Sequence, residues 1–193
     1  MIENKADLRE YLEAEKKIYL PTRKKHIEGF MLGSKNYHIW KYLRILRISE
    51  YHLNSSGSYH KLMYAVNRRR KYRLGYKLGG FEICENTFGK GLTVYHYGPV
   101  ITAAGVRIGE NFVTAGNICI GFKGNAEDKD RRGPQIGDNV YMGWGATVIG
   151  DVRVADNAVI GAGAVVTKSI DEEGAVAAGV PAVVIRARGT ENV

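Results

Sequence analysis

Residues 136–171 read IGDNVY MGWGAT VIGDVR VADNAV IGAGAV VTKSID, six blocks of six without an insertion. The first position of each block is apolar, and the fifth is small or medium-sized and uncharged. A period of six fits neither the 3.6-residue turn of a helix nor the alternation of a simple strand. It is typical of a short strand and a corner, repeated until the coils stack on one another. Three blocks close one triangular turn, so this stretch predicts two full coils.

The six-residue step begins earlier in the chain and is interrupted twice. Phe88, Val94 and Val100 keep the step, which then slips by two before Ile108 resumes it. The spacing widens again around the charged stretch Lys123–Gly133. A charged loop expelled from a regular coil is either tolerated surface or a lid over a site. The pattern predicts a mainly β fold, a parallel β-helix of hexapeptide repeats over residues 81–193, preceded by a basic α-helical region over residues 1–80.

The first region predicts three helices, over Asn4–Leu20, Asn36–Leu53 and Ser58–Leu78, with Thr22–Lys35 as a basic connector. Asn4 is a candidate cap, and Pro21 ends the first helix. The second helix places apolar residues at helical spacing and cations elsewhere. The apolar positions are Ile39, Tyr42, Leu43 and Leu46, and the cations are Lys41, Arg44 and Arg47.

Charge is distributed unevenly over a chain whose net charge is +8. Residues 1–80 hold 18 Lys and Arg against 7 Asp and Glu. Three interpretations stay open. The favoured one is a packing and oligomerisation region with solvated cations. The second is attraction to an anionic membrane surface or a phosphate-rich partner such as a lipid-linked glycan. The third, nucleic-acid binding, lacks a recognition motif, so no nucleic acid is expected.

Cysteine content and the N-terminus bear on the compartment. Two cysteines, Cys84 and Cys119, are too few for a disulfide framework and are expected to be buried thiols. The first 17 residues are charged and carry no signal-peptide pattern. We therefore expect a cytoplasmic protein.

His96 is the one histidine of the repeat region and lies where the repeat loses phase. An imidazole titrates near neutral pH and is suited to remove a proton from a hydroxyl. The alternative is a histidine that merely packs between Tyr95 and Tyr97. A single histidine is too few for a zinc site in the coil, so no metal is expected. The glycine-rich fragments keep the six-residue register and are corner glycines, since none completes a dinucleotide fingerprint.

These residues resemble the hexapeptide-repeat acyltransferases, and within them the serine acetyltransferase branch. The resemblance runs from about Leu74 to Ile185, and its most specific parts are GKGLTVYHYGPVI (residues 89–101), the blocks from Ile136 and AAGVPA (residues 177–182). It implies a left-handed parallel β-helix, a homotrimer, and acetyl-CoA as co-substrate in the groove between neighbouring coils. It also implies His96 as the general base, with Glu82 as the candidate that orients it. The residues that match the family's CoA groove are Gly121, Gly143, Trp144, Ala162, Lys168, Gly179 and Pro181.

The sequence also departs from the family's pattern at the acceptor side. Tyr95 replaces the aspartate that helps to hold the amino group of serine, and Gly133 replaces a second active-site histidine, whereas Arg132 is kept. An aromatic ring suits the face of a sugar, so we expect transfer of acetyl to a hydroxyl of a sugar or glycan precursor in polysaccharide biosynthesis. Serine O-acetylation for cysteine biosynthesis is the alternative. A non-catalytic coil that binds an anionic partner through its basic helices is the rival from another class.

Overall fold

The computed structural model describes residues 1–124 and 132–187 of the 193-residue chain. The chain divides into two compact units, Met1–Phe81 and Glu82–Val193. Among the described residues, no helix combines the length and apolarity that crossing a membrane requires.

The first unit contains four helices: α1 (Lys5–Tyr19), α2 (Arg23–Leu32), α3 (Lys35–Asn54) and α4 (Ser58–Lys77). Asn4 caps α1 as expected, since its side chain accepts hydrogen bonds from the backbone N–H groups of Ala6 and Asp7. The expected apolar face of α3 is confirmed, because Ile39, Tyr42, Leu43 and Leu46 are all fully buried.

The interpretation of Thr22–Lys35 as a connector was wrong. Its residues form α2, which Thr22 caps by accepting a hydrogen bond from the N–H of Lys25. Gly33 ends α2 in the left-handed conformation, with φ at 62°. The sequence contains both a threonine cap and a terminal glycine. The basic residues between them show no apolar periodicity, so the short helix was not predicted.

The second unit is a parallel β-helix built from very short strands that alternate among three sheets. One sheet has the order β1-β3-β6-β9-β12, the second β10-β7-β4, and the third β14-β13-β11-β8-β5-β2. The pairings among β2 to β13 are parallel, and β14 pairs with β13 in the antiparallel direction. The strands are β1 (Phe81–Glu82), β2 (Thr93–Val94), β3 (Val100–Thr102), β4 (Arg107–Ile108), β5 (Val113–Thr114), β6 (Ile118–Gly121), β7 (Gln135–Ile136), β8 (Tyr141–Met142), β9 (Thr147–Ile149), β10 (Arg153–Val154), β11 (Val159–Ile160), β12 (Val165–Val166), β13 (Ala175–Gly179) and β14 (Ala182–Ala187).

The apolar first position of each block points into the coil, as the period predicts. Met142, Val148 and Ile160 are fully buried, and Val154 and Val166 are 1% exposed. The coils stack in register, so that Thr114, Met142 and Ile160 lie one above the other in neighbouring strands. The two cysteines differ from expectation: neither is in a disulfide, but both are only partly buried.

Three edges of the coil follow the three sheets. The His96 edge consists of the corners 95–99, 115–117, 143–145, 161–163 and 180–181, which follow β2, β5, β8, β11 and β13. The loop edge consists of the residues that follow β6, β9 and β12. The asparagine edge consists of the corners after β4, β7 and β10.

The asparagine edge is held together by a ladder of side-chain hydrogen bonds. Asn111 donates to Asn139 at 3.1 Å, Asn139 donates to Asn157 at 3.2 Å, and Asn157 donates to Glu173 at 2.7 Å. The three asparagines have φ between 55° and 60°, a conformation that asparagine tolerates better than most residues. This edge is therefore fixed by the amide side chains as well as by the backbone pairing.

Candidate functional site

The corner that carries His96 is longer than the corners stacked on it. Val94 pairs with Thr114, and Thr102 pairs with Ile120. Eight positions therefore separate Val94 from Thr102, whereas six separate Thr114 from Ile120. The two-residue slip expected after Val100 lies instead in the corner 95–99. His96 is thus carried by a local widening of the coil.

This widening exposes the residues that the sequence singled out. His96 is exposed, and its neighbours Tyr95 and Tyr97 are 46% and 40% exposed. The backbone N–H of Tyr95 still donates to the carbonyl of Thr114 at 3.0 Å, so the corner starts in register. Burial raises the pKa of the Tyr97 hydroxyl, which keeps that phenol neutral at physiological pH.

The indole ring of Trp144 lies beside the imidazole of His96. Their ring centroids are 6.3 Å apart, and the rings meet edge to face at 74°. The indole passes over two glycines: a Cβ on Gly98 would lie 3.2 Å from the ring, and one on Gly116 would lie 3.1 Å from it. Both glycines also have positive φ. Neither glycine was singled out from the sequence, although Gly98 directly follows the aromatic corner residue Tyr97. Gly116, between Ala115 and Asn117, has no such neighbour.

The structure distributes the candidate CoA residues over two edges. Gly143, Trp144, Ala162 and Pro181 lie on the His96 edge, and Gly179 ends the strand that leads into it. Ala162, Gly179 and Pro181 are exposed. Gly121 and Lys168 lie at the loop edge instead, because Gly121 ends β6 and Lys168 follows β12 in the other large sheet. Counting blocks in threes along the sequence would have revealed this separation.

Glu82 lies on β1, whose sheet also contains β3, the strand that follows His96. Glu82 is exposed. Within the described residues, no hydrogen bond joins it to the His96 imidazole. Its role as the orienting residue stays a prediction.

Arg132 and Gly133 lie after residues 125–131, which are outside the described part of the chain. Arg132 is exposed. Gly133 is buried, and a Cβ at this position would lie 3.1 Å from the Phe122 ring and 3.2 Å from the backbone nitrogen of Val106. The Phe122 ring therefore fills the space next to the position where the resembling family has a histidine. Most of the expelled loop falls in the undescribed segment.

The His96 edge is aromatic and carries no carboxylate. Tyr95, Tyr97 and Trp144 are each between 40% and 46% exposed around the imidazole. No aspartate or glutamate occurs in the corners that make up this edge. Over residues 1–124 and 132–187, no group of three or more His, Cys, Asp and Glu side chains is placed to hold a metal ion. The chemistry that this edge offers is an exposed imidazole among aromatic faces.

Comparison with known proteins finds similarity to this chain in both sequence and fold. Residues 133–168 match the bacterial transferase hexapeptide family (six repeats). A serine acetyltransferase from Staphylococcus xylosus is 28% identical over 138 residues, which cover 67% of this chain and 62% of that protein. The chain thus spans under two thirds of the length of the curated relative that it matches.

Solved structures share the fold. The soybean serine acetyltransferase apoenzyme matches with a TM-score of 0.71 and 23% identity, over 93% of this chain and 69% of that one. The serine acetyltransferase of Brucella abortus strain S19 in complex with coenzyme A matches with a TM-score of 0.70 and 20% identity, over 95% and 68%.

The repeat and the coil agree with the family match, which identifies residues 133–168 as hexapeptide repeats of the bacterial transferase type. More particularly, the chain is a distant homologue of the serine acetyltransferases and has their fold, a helical region of four helices followed by a parallel hexapeptide β-helix. The resemblance inferred from the sequence is confirmed.

Proposed function

We propose that this chain is an acetyl-CoA-dependent O-acetyltransferase in which His96 is the general base. The observation that carries this proposal is the exposed imidazole on a widened corner, with the Trp144 ring beside it and small residues at most of the other corner positions of this edge. The homology to serine acetyltransferases and the existence of a relative solved with coenzyme A support it.

The proposed step needs one base and one set of oxyanion donors. The free ring nitrogen of His96 accepts the proton of the acceptor hydroxyl, whose oxygen attacks the thioester carbonyl of acetyl-CoA. Backbone N–H groups stabilise the oxyanion of the tetrahedral intermediate. The carbon–sulfur bond then breaks, and the thiolate of CoA takes up a proton. No covalent bond to the protein forms.

The division of the CoA candidates over two edges supports a homotrimer. In a trimer of parallel coils, the His96 edge of one copy can face the loop edge of the next. Gly143, Ala162 and Trp144 would then line one wall of a groove, and Gly121 and Lys168 the other. The Lys168 ammonium is exposed and would supply a cation for a phosphate of CoA. Tyr95 and Arg132 would lie on the acceptor side of this groove.

L-Serine is the first acceptor to test, because the relatives point to it. The curated relative and the solved neighbours reported above are all serine acetyltransferases by name, and none of these names points to a polysaccharide. The comparisons therefore favour serine over the sugar acceptor that was expected from the sequence.

A sugar hydroxyl stays the second candidate because of the composition of the His96 edge. The ammonium of serine needs a negative partner, and the corners of this edge contain neither aspartate nor glutamate. Tyr95, Tyr97 and Trp144 instead present three half-exposed rings, which suit the apolar face of a sugar.

The deciding experiment measures the release of free CoA thiol with L-serine and with a panel of sugars and nucleotide sugars. Turnover with serine shows that Tyr95 and Gly133 are compatible with an amino-acid acceptor. Turnover with sugars alone shows an acceptor pocket rebuilt around the aromatic rings. Tight binding of acetyl-CoA without turnover on any hydroxyl would favour the non-catalytic coil.

Replacing His96 by alanine tests the mechanism. We expect kcat to fall by about 10²–10⁴-fold with the accepted substrate, the usual contribution of a positioned base. The exposed imidazole contributes little to the core, so the circular dichroism spectrum and the oligomeric state should not change. Arg153→Ala, an exposed change on β10 away from the His96 edge, is the control and should leave kcat within about twofold. A His96→Ala protein of unchanged kcat would refute the role of the base.

A further inference from the structure

The helical unit contains a pocket whose polar lining is entirely cationic. It has a volume of about 230 Å³ and lies between α3 and α4. Each helix contributes one aliphatic side chain, and α3 adds one cation whereas α4 adds three. Lys41 and Ile45 come from α3, and Arg70, Arg73, Leu74 and Lys77 come from α4.

Helical spacing explains why these residues meet. Arg70, Arg73 and Lys77 are three and seven positions apart, so they lie on one face of α4. Lys41 and Ile45 are four apart on α3 and share a face there. The three-residue connection Ser55–Gly57 returns the chain directly, so that the late part of α4 lies against the early part of α3.

The four cations have no counter-ion in the part of the chain that the structure describes. Other cations of the protein do: Arg47 is paired with Glu15, and Lys90 is paired with Glu110. The sequence of α4 holds seven Lys and Arg residues and no Asp or Glu. Like charges three and four positions apart destabilise a helix. The pocket therefore concentrates positive charge at a cost in stability, which a bound anion would offset.

Charge, shape and apolar content together define the ligand. Arginine forks bind the oxygens of a phosphate in pairs, and lysines add point charges to the same group. A single carboxylate carries too little charge to balance four cations. Ile45 is 6% exposed and Leu74 is half-buried, and together they give the pocket an apolar part. The volume is below that of pockets for drug-sized ligands, which begin at about 300 Å³.

We propose that this pocket is a binding site for the phosphate groups of a phosphorylated ligand, a diphosphate or a phosphate monoester, whose first apolar atoms contact Ile45 and Leu74. The phosphate can come from a soluble phosphate ester or from the headgroup of an anionic lipid. The proposal concerns the helical unit alone and does not depend on the acetyl-transfer reaction.

The test compares two double variants that remove the same charge. The pocket variant is Arg70→Gln with Arg73→Gln. The control is Lys17→Gln with Lys61→Gln, two exposed cations outside the pocket. The pocket variant relieves like-charge repulsion within α4, so it should fold at least as well as the natural protein. One arm titrates inorganic pyrophosphate by calorimetry, and the other measures sedimentation with phosphatidylcholine vesicles that contain phosphatidic acid.

We expect the full chain to bind at least one of the two probes. The pocket variant should weaken that binding by about tenfold or more, and the control by about twofold or less. Loss of vesicle binding in the pocket variant alone identifies a lipid headgroup as the source. Loss confined to pyrophosphate identifies a soluble ester. Equal weakening in both variants, or binding of neither probe at about 1 mM, overturns the proposal.

Discussion

The two units of this chain place their charged and apolar residues in opposite ways. In the coil, the interior is a stack of mainly apolar side chains with three buried threonines (Thr87, Thr102 and Thr114) and no buried charge among the described residues. In the helical unit, the largest fully buried side chain is a cation: Arg47 is fully buried, and its partners Glu15 and Glu50 are 1% and 2% exposed. The guanidinium donates to Glu15 at 2.6 Å and to Glu50 at 3.0 Å.

This contrast shows what repetition contributes to a fold. Each coil position is surrounded by the equivalent positions of the coils above and below, so its environment follows from the period. The ion cluster of the helical unit occurs once and joins Arg47 and Glu50 on α3 to Glu15, which lies 32 positions before Arg47 on another helix. Burial raises the pKa of Glu15, and the charge of Arg47 opposes that rise. The stability of the cluster therefore depends on Arg47 staying beside the Glu15 carboxylate.

Removing the buried cation should have the largest effect on stability. We expect Arg47→Met to lower the free energy of unfolding by about 3–5 kcal/mol, because it leaves two buried carboxylates without a counter-charge. Arg44→Met, on the same helix but exposed, is the matched control and should change stability by no more than about 0.5 kcal/mol. Urea denaturation followed by circular dichroism measures both. Equal stability of the two variants would mean that the cluster is not a centre of stability.

Crowding a corner glycine of the coil should have the next largest effect. A Cβ on Gly143 would lie 2.6 Å from the backbone nitrogen of Ala162, and neither backbone can move without breaking the stack. We expect Gly143→Ala to cost about 2–3 kcal/mol. At Gly163 nothing lies within 4 Å of a new Cβ, although φ is 67°. Gly163→Ala should therefore cost only about 1 kcal/mol. Thermal unfolding ranks the two, and the reverse order would contradict close stacking as the limit.

Two substitutions of Asn139 in the asparagine ladder distinguish the contribution of the side-chain hydrogen bonds to stability from that of the left-handed backbone. Asn139 makes two ladder hydrogen bonds and has φ at 55°. We expect Asn139→Ala to cost about 1–2 kcal/mol, because it loses the bonds and strains the backbone. Asn139→Gly loses the bonds alone and should cost about 0.5 kcal/mol. If the two variants prove equally stable in urea, the left-handed backbone is not a source of strain at this edge.

The smallest expected effect is a pH dependence confined to the helical unit. His52 and His60 face each other with their Nδ1 atoms 2.9 Å apart. Burial, and then the charge of His60, lowers the pKa of His52. The folded state thus binds fewer protons than the unfolded state, so stability is complete above about pH 6.5 and falls as the pH drops through the histidine range.

Stability measured against pH checks this expectation in the natural protein and in His60→Gln. The variant should show a shallower decline between neutral and acidic pH, because the glutamine cannot become charged. A parallel decline in both proteins would assign the pH dependence to other groups.

Much of the coil could be predicted because apolar residues recur at every sixth position of the sequence. The position of the two-residue slip could not, since Val100 and Thr102 can each occupy an inward position, and either register is acceptable until the strand pairing is known. The widened corner at His96 was therefore located only by its pairing partners. Likewise, the contact between His96 and Trp144 joins corners 48 positions apart and depends on two intervening glycines.

The helical unit was predictable in its long helices and not in its core. Helical spacing placed Arg47 with the solvated cations Lys41 and Arg44, because a periodic pattern treats every charge as polar surface. Burial of an arginine depends on a carboxylate supplied by another helix, here Glu15 on α1. Such a pairing has no local signature in the sequence.

The stacking of the coils also governs how this protein can change over generations. From His96 to Gly179 the chain runs through 83 positions, yet the two residues are separated by four coil steps of about 4.8 Å each. Extra residues at a corner, as at the loop edge, lengthen the chain without changing that distance. Gain or loss of a complete coil changes it by one full step. The length of ligand that this edge can accommodate therefore changes only by whole coil steps during evolution. Insertions at the corners do not change that length.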